Sequence, residues 1–285
     1  MDLARVAPFI RCPICRASLV PRDEGFVCAS DASHAVRKQN GILQFSEPDP
    51  GKYDSAYAER YAALWAFGCE TLHSGLDEGL YRTISSFLAE ALVAAGRPEP
   101  VIVDAGCGVG RVASDAARLA GRGIVLALDA SPAMLEFAGR IVAGESMDIV
   151  IPKDGFSSLR IARPPSPNVV LSRADVEDFP LVDGCADIVL SVNIVDRLPH
   201  GPEAAFRECH RILRGGGTLI FTDPFNWIEP WLWQKYPDAA GVLRLLKHSG
   251  FAIETWFDDL LYREIADGRG SFNEFKTLAV KARKA

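Results

Sequence analysis

The chain has 285 residues, 48% of them hydrophobic and 24% charged, with a formal net charge of -6. That balance excludes a disordered chain, and the charge excludes a broad basic surface for wrapping nucleic acid. No apolar run approaches the roughly 18 residues of a membrane span, and "MDLARVAPFIR" lacks a signal-peptide apolar core, so a cytoplasmic protein with no membrane contact is expected.

The first fifty residues hold a cluster of cysteines. Cys12 and Cys15 form a C-P-x-C turn, and Cys28 ends the strand-like "GFVC". Two thiolates three residues apart in a tight turn aim at one tetrahedral metal. A second C-x-x-C would need cysteine at position 31, which holds Asp31, with His34 three further on. The donor set is therefore Cys12, Cys15 and Cys28 with His34, or with Asp31 in its place. A zinc bound this way would be structural, because no coordination position is left open. Cys69, Cys107, Cys185 and Cys209 stand singly, as packed, reduced thiols do. The linker "SEPDPGK" follows, and then "YDSAYAERYAALW" and "LYRTISSFLAEALVAAG" carry helical spacing, the second stopping at Gly96 before Pro98.

From residue 100 strands and helices alternate. "VIVDAG" reads as a strand, "GRVASDAARLA" as a helix, and "GIVLALD" as a strand. "SPAMLEFAGRIVA" is a helix with Ser131 as N-cap and Pro132 at its first position. "NVVLSRAD", "CADIVLSVN" and "TLIFTDP" complete the strands, and "GPEAAFRECHRIL" is the helix before the last of them. Such alternation means parallel strands with right-handed crossovers, a doubly wound α/β sheet that binds ligands at its carboxyl edge. Asp104, Asp129, Asp175 and Asn193 all fall at strand ends. Residues 144–167 exceed what a helix-to-strand connection needs and are expected on the opposite, amino-end face.

The turn "DAGCGVGR" selects the ligand. Its glycines are Gly106, Gly108 and Gly110, and the place of the last glycine of a dinucleotide fingerprint holds Arg111. The glycines allow close backbone approach, while the Asp104 carboxylate repels a pyrophosphate and attracts an ammonium or sulfonium. Asp129 is placed to accept from two ribose hydroxyls, and Asp175 from an adenine amino group beside the Val176 N–H.

Over residues 100–224 the chain resembles the class I S-adenosylmethionine-dependent methyltransferases. The likeness lies in "DAGCGVG", "LDAS", "ADVEDFPL", "ADIVLSVN" and "RECHRILRGGGTLIF", in that order. It implies a Rossmann-like seven-stranded sheet, its last two strands "FAIETWFDDLLYREI" and "FNEFKTLAVKARK" antiparallel, with a helix before the core covering the cofactor. The cofactor set it implies is Asp104, Ala105, Gly106, Gly108, Asp129, Ala130, Asp175, Val176 and Asn193. The N-terminal segment resembles the zinc ribbons that precede some methyltransferase domains, with "GILQF" as exit strand.

The expected organisation is a zinc-ribbon-like module over 1–46, linker and covering helices over 47–99, and the methyltransferase core over 100–285. The expected reaction is in-line methyl transfer to a small polar metabolite. Tyr53, Tyr57, Asp196, Asn226 and Trp227 are candidates for contact with it, and Asp223 and His200 lie near the same end. No residue is assigned a catalytic role. An RNA base as acceptor is the alternative, because a ribbon fused to such a core also resembles the bacterial 23S rRNA guanine methyltransferases. A cofactor-binding scaffold without activity is the third possibility.

Overall fold

The computed structural model describes residues 3–47, 54–68, 78–151 and 155–285. Tyr53 and Cys69, named above, lie outside the described residues.

Four short strands open the chain: β1 (Leu19–Arg22), β2 (Gly25–Cys28), β3 (Ala35–Gln39) and β4 (Ile42–Gln44). Each pairs antiparallel with the next. Helix α1 (Ser55–Arg60) starts at Asp54, whose carboxylate accepts from the Tyr57 N–H at 2.8 Å, and continues as a π-helical turn over Tyr61–Ala66. Helix α2 (Glu78–Ala95) leads into the core.

The core runs β5 (Val101–Ala105), α3 (Arg111–Ala120), β6 (Ile124–Asp129), α4 (Pro132–Ala143), then a hairpin of β7 (Met147–Val150) and β8 (Ser158–Ile161). It continues through β9 (Val169–Arg173), β10 (Ala186–Val192), α5 (Glu203–Ile212), β11 (Leu213–Asp223), α6 (Pro230–Lys235) and α7 (Ala239–His248). Strands β12 (Phe251–Ile265) and β13 (Phe272–Lys284) close it. β5, β6, β9 and β10 are apolar almost throughout because helices cover both their faces. Ser131 caps α4 as its sequence position requires, its hydroxyl accepting from the Met134 N–H at 3.2 Å.

The seven core strands lie in the order β9-β6-β5-β10-β11-β13-β12. β13 is antiparallel to β11 and β12 antiparallel to β13, as expected for the last pair. The ribbon does not stand apart from this sheet. β4 pairs parallel with β9, Leu43 opposite Ser172, so that the ribbon strands extend the sheet to eleven. Ile10 bridges Leu181, the Arg11 N–H donates to the Pro180 carbonyl, and Arg16 pairs with Asp178. Val6, Ile10, Leu19, Phe26, Val36 and Leu43 pack in one apolar cluster with Val101, Leu126 and Phe179 of the core.

Residues 144–167 correct the expectation drawn for them. Met147, Ile149, Leu159 and Ile161 of the β7–β8 hairpin pack with Ala58, Ala62 and Phe67 of the α1 segment and with Met134 and Phe137 of α4. Gly144 ends α4 in the left-handed region, and the hairpin turns back beneath the segment that roofs the strand ends. The connection is long because α1 needs an apolar bed.

Candidate functional site

A cavity of about 530 Å³ opens at the carboxyl ends of β5, β6, β9 and β10. Of the expected cofactor residues, Gly106, Gly108, Asp129, Ala130, Asp175, Val176 and Asn193 line it; Asp104 and Ala105 do not. Tyr57, Asp196 and Asn226 line it from the candidate acceptor set, and so do Tyr61 and His200.

Asp129 organises the glycine turn. One carboxylate oxygen accepts from the Gly108 N–H and the other from the Ser131 N–H, each at 2.8 Å, with lone pairs left toward the cavity. Burial raises its pKa, and those N–H donors pull the other way. The glycine turn closes under Ile194: a Cβ on Gly106, at φ +76°, would collide with the Ile194 side chain. That glycine is required by the fold itself, whereas a Cβ on Gly108 would point at the Tyr61 ring, 3.6 Å away. Asn193 sits at φ +52°, a rare conformation for a side-chain-bearing residue, held by the Thr222 hydroxyl donating to its Oδ1 at 2.8 Å.

Asp104 lies beneath the turn, 1% exposed, which corrects its expected place on the cavity wall. Burial and the nearby Asp129 charge push its pKa up to about 7. Its Oδ2 is buried without a hydrogen-bond partner among the described residues. A carboxylate so placed is relieved by a cation and penalised further by a phosphate. Asp129, facing the cavity, fits a ribose, and the Asp104 carboxylate behind the turn favours a cation over a pyrophosphate there, as S-adenosylmethionine requires.

Arg111 answers why the third fingerprint glycine is absent. Its guanidinium donates to the Ala66 carbonyl and lies over the Tyr81 ring, 3.4 Å from the centroid. The residue after the glycine turn thus ties down the cover. There Trp65 meets Tyr57 and Tyr61 edge-on, at 5.4 and 5.0 Å between centroids, and all three line the cavity.

Sequence reading missed Trp65, Arg197, Tyr262, Glu264 and Phe275, all lining the cavity. The last three come from the outer half of the β12–β13 hairpin. Only Leu278–Arg283 of β13 pair with β11, so Leu260–Ile265 and Phe272–Thr277 overhang the carboxyl edge of the sheet. The Tyr262 hydroxyl donates to the Trp65 carbonyl at 2.8 Å and ties this overhang to the cover. The lengths of these two strands, 15 and 13 residues against six in β6, were the available signal.

Trp227 is corrected in the other direction. It is buried and packs on Phe225 and Tyr236, its indole N–H donating to the Tyr236 carbonyl at 3.1 Å, and it does not line the cavity. Asp223 is buried behind the wall, accepting from the N–H groups of Asp196 and Phe225, with its pKa driven well up by burial and the Asp196 charge.

In the ribbon, donor atoms of Cys12, Cys15, Cys28 and His34 lie within 4.8 Å of one another. Cys15 Sγ is 3.3 Å from Cys28 Sγ, and Cys12 Sγ is 3.7 Å from His34 Nδ1. Donors on a zinc tetrahedron with bonds of ~2.3 Å are ~3.8 Å apart, so the cluster fits that ion. Asp31 falls outside it, its Oδ2 3.5 Å from His34 Nε2, which is the place of a carboxylate that orients a ligating histidine.

Residues 103–221 match the family model described as a methyltransferase domain. The chain is 26% identical over 175 residues to malonyl-[acyl-carrier protein] O-methyltransferase of Methylococcus capsulatus, covering 61% of this chain and 55% of that one. It is 31% identical over 183 residues to sarcosine/dimethylglycine N-methyltransferase of Halorhodospira halochloris, covering 61% and 57%. A solved S-adenosylmethionine-dependent methyltransferase from Aquifex aeolicus superposes with a TM-score of 0.49 at 15% identity, covering 82% of this chain and all of that one. The chain spans about half the length of the curated relatives it matches.

Strand order, glycine turn and strand-end acids make a Rossmann-like α/β fold with a ligand cavity at the carboxyl edge of its sheet, and the stretch that matches the methyltransferase-domain model carries these features.

Proposed function

We propose that the protein transfers the methyl group of S-adenosylmethionine to a small polar molecule enclosed with it in the cavity. The observation that carries this reading is the roofed cavity itself, about 530 Å³ beneath Tyr57, Tyr61 and Trp65. That volume is in the range of small-ligand sites, ~300–1,000 Å³. The relatives' named acceptors, malonyl-[acyl-carrier protein], sarcosine and dimethylglycine, support a small acceptor group. The net charge of -6 supplies little for phosphate contacts, which disfavours RNA.

Bound S-adenosylmethionine supplies a methyl carbon on positively charged sulfur, already activated for in-line displacement. The protein then has to align and exclude water. Asp129 accepts from the ribose hydroxyls, Asp175 and Val176 hold the adenine edge, and buried Asp104 favours the cationic end. The aromatic roof keeps water out. Cys12, Cys15, Cys28 and His34 hold a structural zinc that braces the sheet edge beside β9. No helix among the described residues is long and apolar enough to cross a membrane.

Calorimetry tests the cofactor assignment. One S-adenosylmethionine and one S-adenosylhomocysteine should bind per chain, and NAD should give no comparable heat. NAD binding in place of S-adenosylmethionine would sink the reading.

A further inference from the structure

The acceptor half of the cavity has an uneven charge pattern. Asp196 faces Arg197 at 3.1 Å, and Glu177 faces His200 at 3.5 Å. Asp129 and Asp175 sit at the adenosine end, each engaged by backbone N–H groups. Glu264 remains: a carboxylate that lines the cavity, hydrogen-bonded by the Asn273 side chain and within no 4 Å ion pair among the described residues. Aromatic residues line the same cavity, Tyr262 and Phe275 from its own hairpin and Tyr57, Tyr61 and Trp65 from the cover.

The groups acting on Glu264 come from every neighbouring element. Arg60 reaches it from α1, Arg197 and Asp196 from the turn after β10, Tyr61 from the π-helical turn, and Asn273 from the opposite position on β13. Neither arginine pairs with it, so a cation entering the cavity would meet this carboxylate and the aromatic rings of the same wall, and both attract it. An acidic acceptor would be repelled by this wall.

We propose that the methyl acceptor is a primary or secondary amine, and that Glu264 is the catalytic base that binds its ammonium and takes its proton. The inference rests on the methyl-transfer reading above. The ammonium N–H bond breaks and its proton moves to a Glu264 carboxylate oxygen, leaving the nitrogen lone pair free. That pair forms the N–C bond as the methyl C–S bond breaks, and the C–S electrons stay on sulfur as a thioether. The product is the N-methylated ammonium, and the Glu264 proton returns to water. Burial raises the Glu264 pKa to about 7, which brings it nearer an ammonium at ~10 and leaves it far from an alcohol.

The experiment incubates the full chain with methyl-labelled S-adenosylmethionine and a deproteinised small-molecule extract of the cells that express it. Label is expected in a base-stable product retained on a cation exchanger. Glu264→Gln should lower kcat/KM roughly 100-fold and remove a limb that rises with pH through about 7, while S-adenosylmethionine affinity stays within about two-fold. Independently of turnover, the carboxyl carbon NMR spectrum of glutamate-labelled apo protein should contain a signal titrating near pH 7 that Glu264→Gln deletes. Label in a base-labile ester or an uncharged product would overturn the proposal, as would full activity of a folded Glu264→Gln. Absence of label in every fraction, with S-adenosylmethionine bound, would overturn the methyl-transfer reading along with it.

Discussion

Asp129→Ala is expected to weaken S-adenosylmethionine and S-adenosylhomocysteine binding by about 1.5–3 kcal/mol, roughly 10- to 150-fold. Two losses combine. The ribose hydroxyls lose a charged acceptor, and the Gly108 and Ser131 N–H groups that the carboxylate now fixes at 2.8 Å are released. Asp129→Asn separates the two: it keeps the shape but points an amide NH₂ at one of those N–H donors, so it should recover little. Calorimetry on both variants is the check. Undiminished affinity in Asp129→Ala would remove this residue from the cofactor site.

The second large effect is metal removal. A free-standing ribbon would loosen alone, but here Phe26, Val36 and Leu43 pack with the core, and β4 hydrogen-bonds to β9. Losing the ion should therefore destabilise the whole sheet edge, by at least ~3 kcal/mol, which corresponds to a melting-temperature fall of roughly 6–12 °C. Cys15→Ser should purify with less than one zinc per chain and melt at the same lowered temperature, in a single transition. An unchanged melting temperature after verified zinc loss would show that the cluster has no structural role. Arg173 links this region to the cofactor site: it ends β9 opposite Asp129 and donates to the Ser46 carbonyl at 2.8 Å. Zinc loss should for that reason also weaken cofactor binding.

What was legible in the sequence follows local rules. The parallel strands announce themselves as apolar runs ending in an acid or an amide, and the glycine turn, the Ser131 cap and the C-x-x-C knuckle each depend on a few adjacent residues. What was not legible depends on distant surfaces meeting. Nothing near Trp227 tells whether it faces the cavity or Tyr236, because both are apolar destinations. Asp104 reads correctly as a strand-end acid, yet nothing local in the sequence shows that it is buried and off the cavity wall while Asp129 faces the cavity. The β7–β8 hairpin serves the α1 segment, a partner on the other side of the glycine turn in sequence. Glu264 escaped notice for the same reason: one acid in an alternating edge strand gains meaning only once the hairpin is seen to overhang the carboxyl edge.

The central claim is that a small molecule, enclosed with S-adenosylmethionine, receives the methyl group. Methyl-labelled S-adenosylmethionine offered to the wild-type chain with small molecules and ribosomal RNA from the same cells, separated by size after reaction, tests it most directly. The account predicts label in the small-molecule fraction, insensitive to salt over a range that would strip phosphate contacts. Label on the RNA, bound tightly and released steeply by salt, would contradict it.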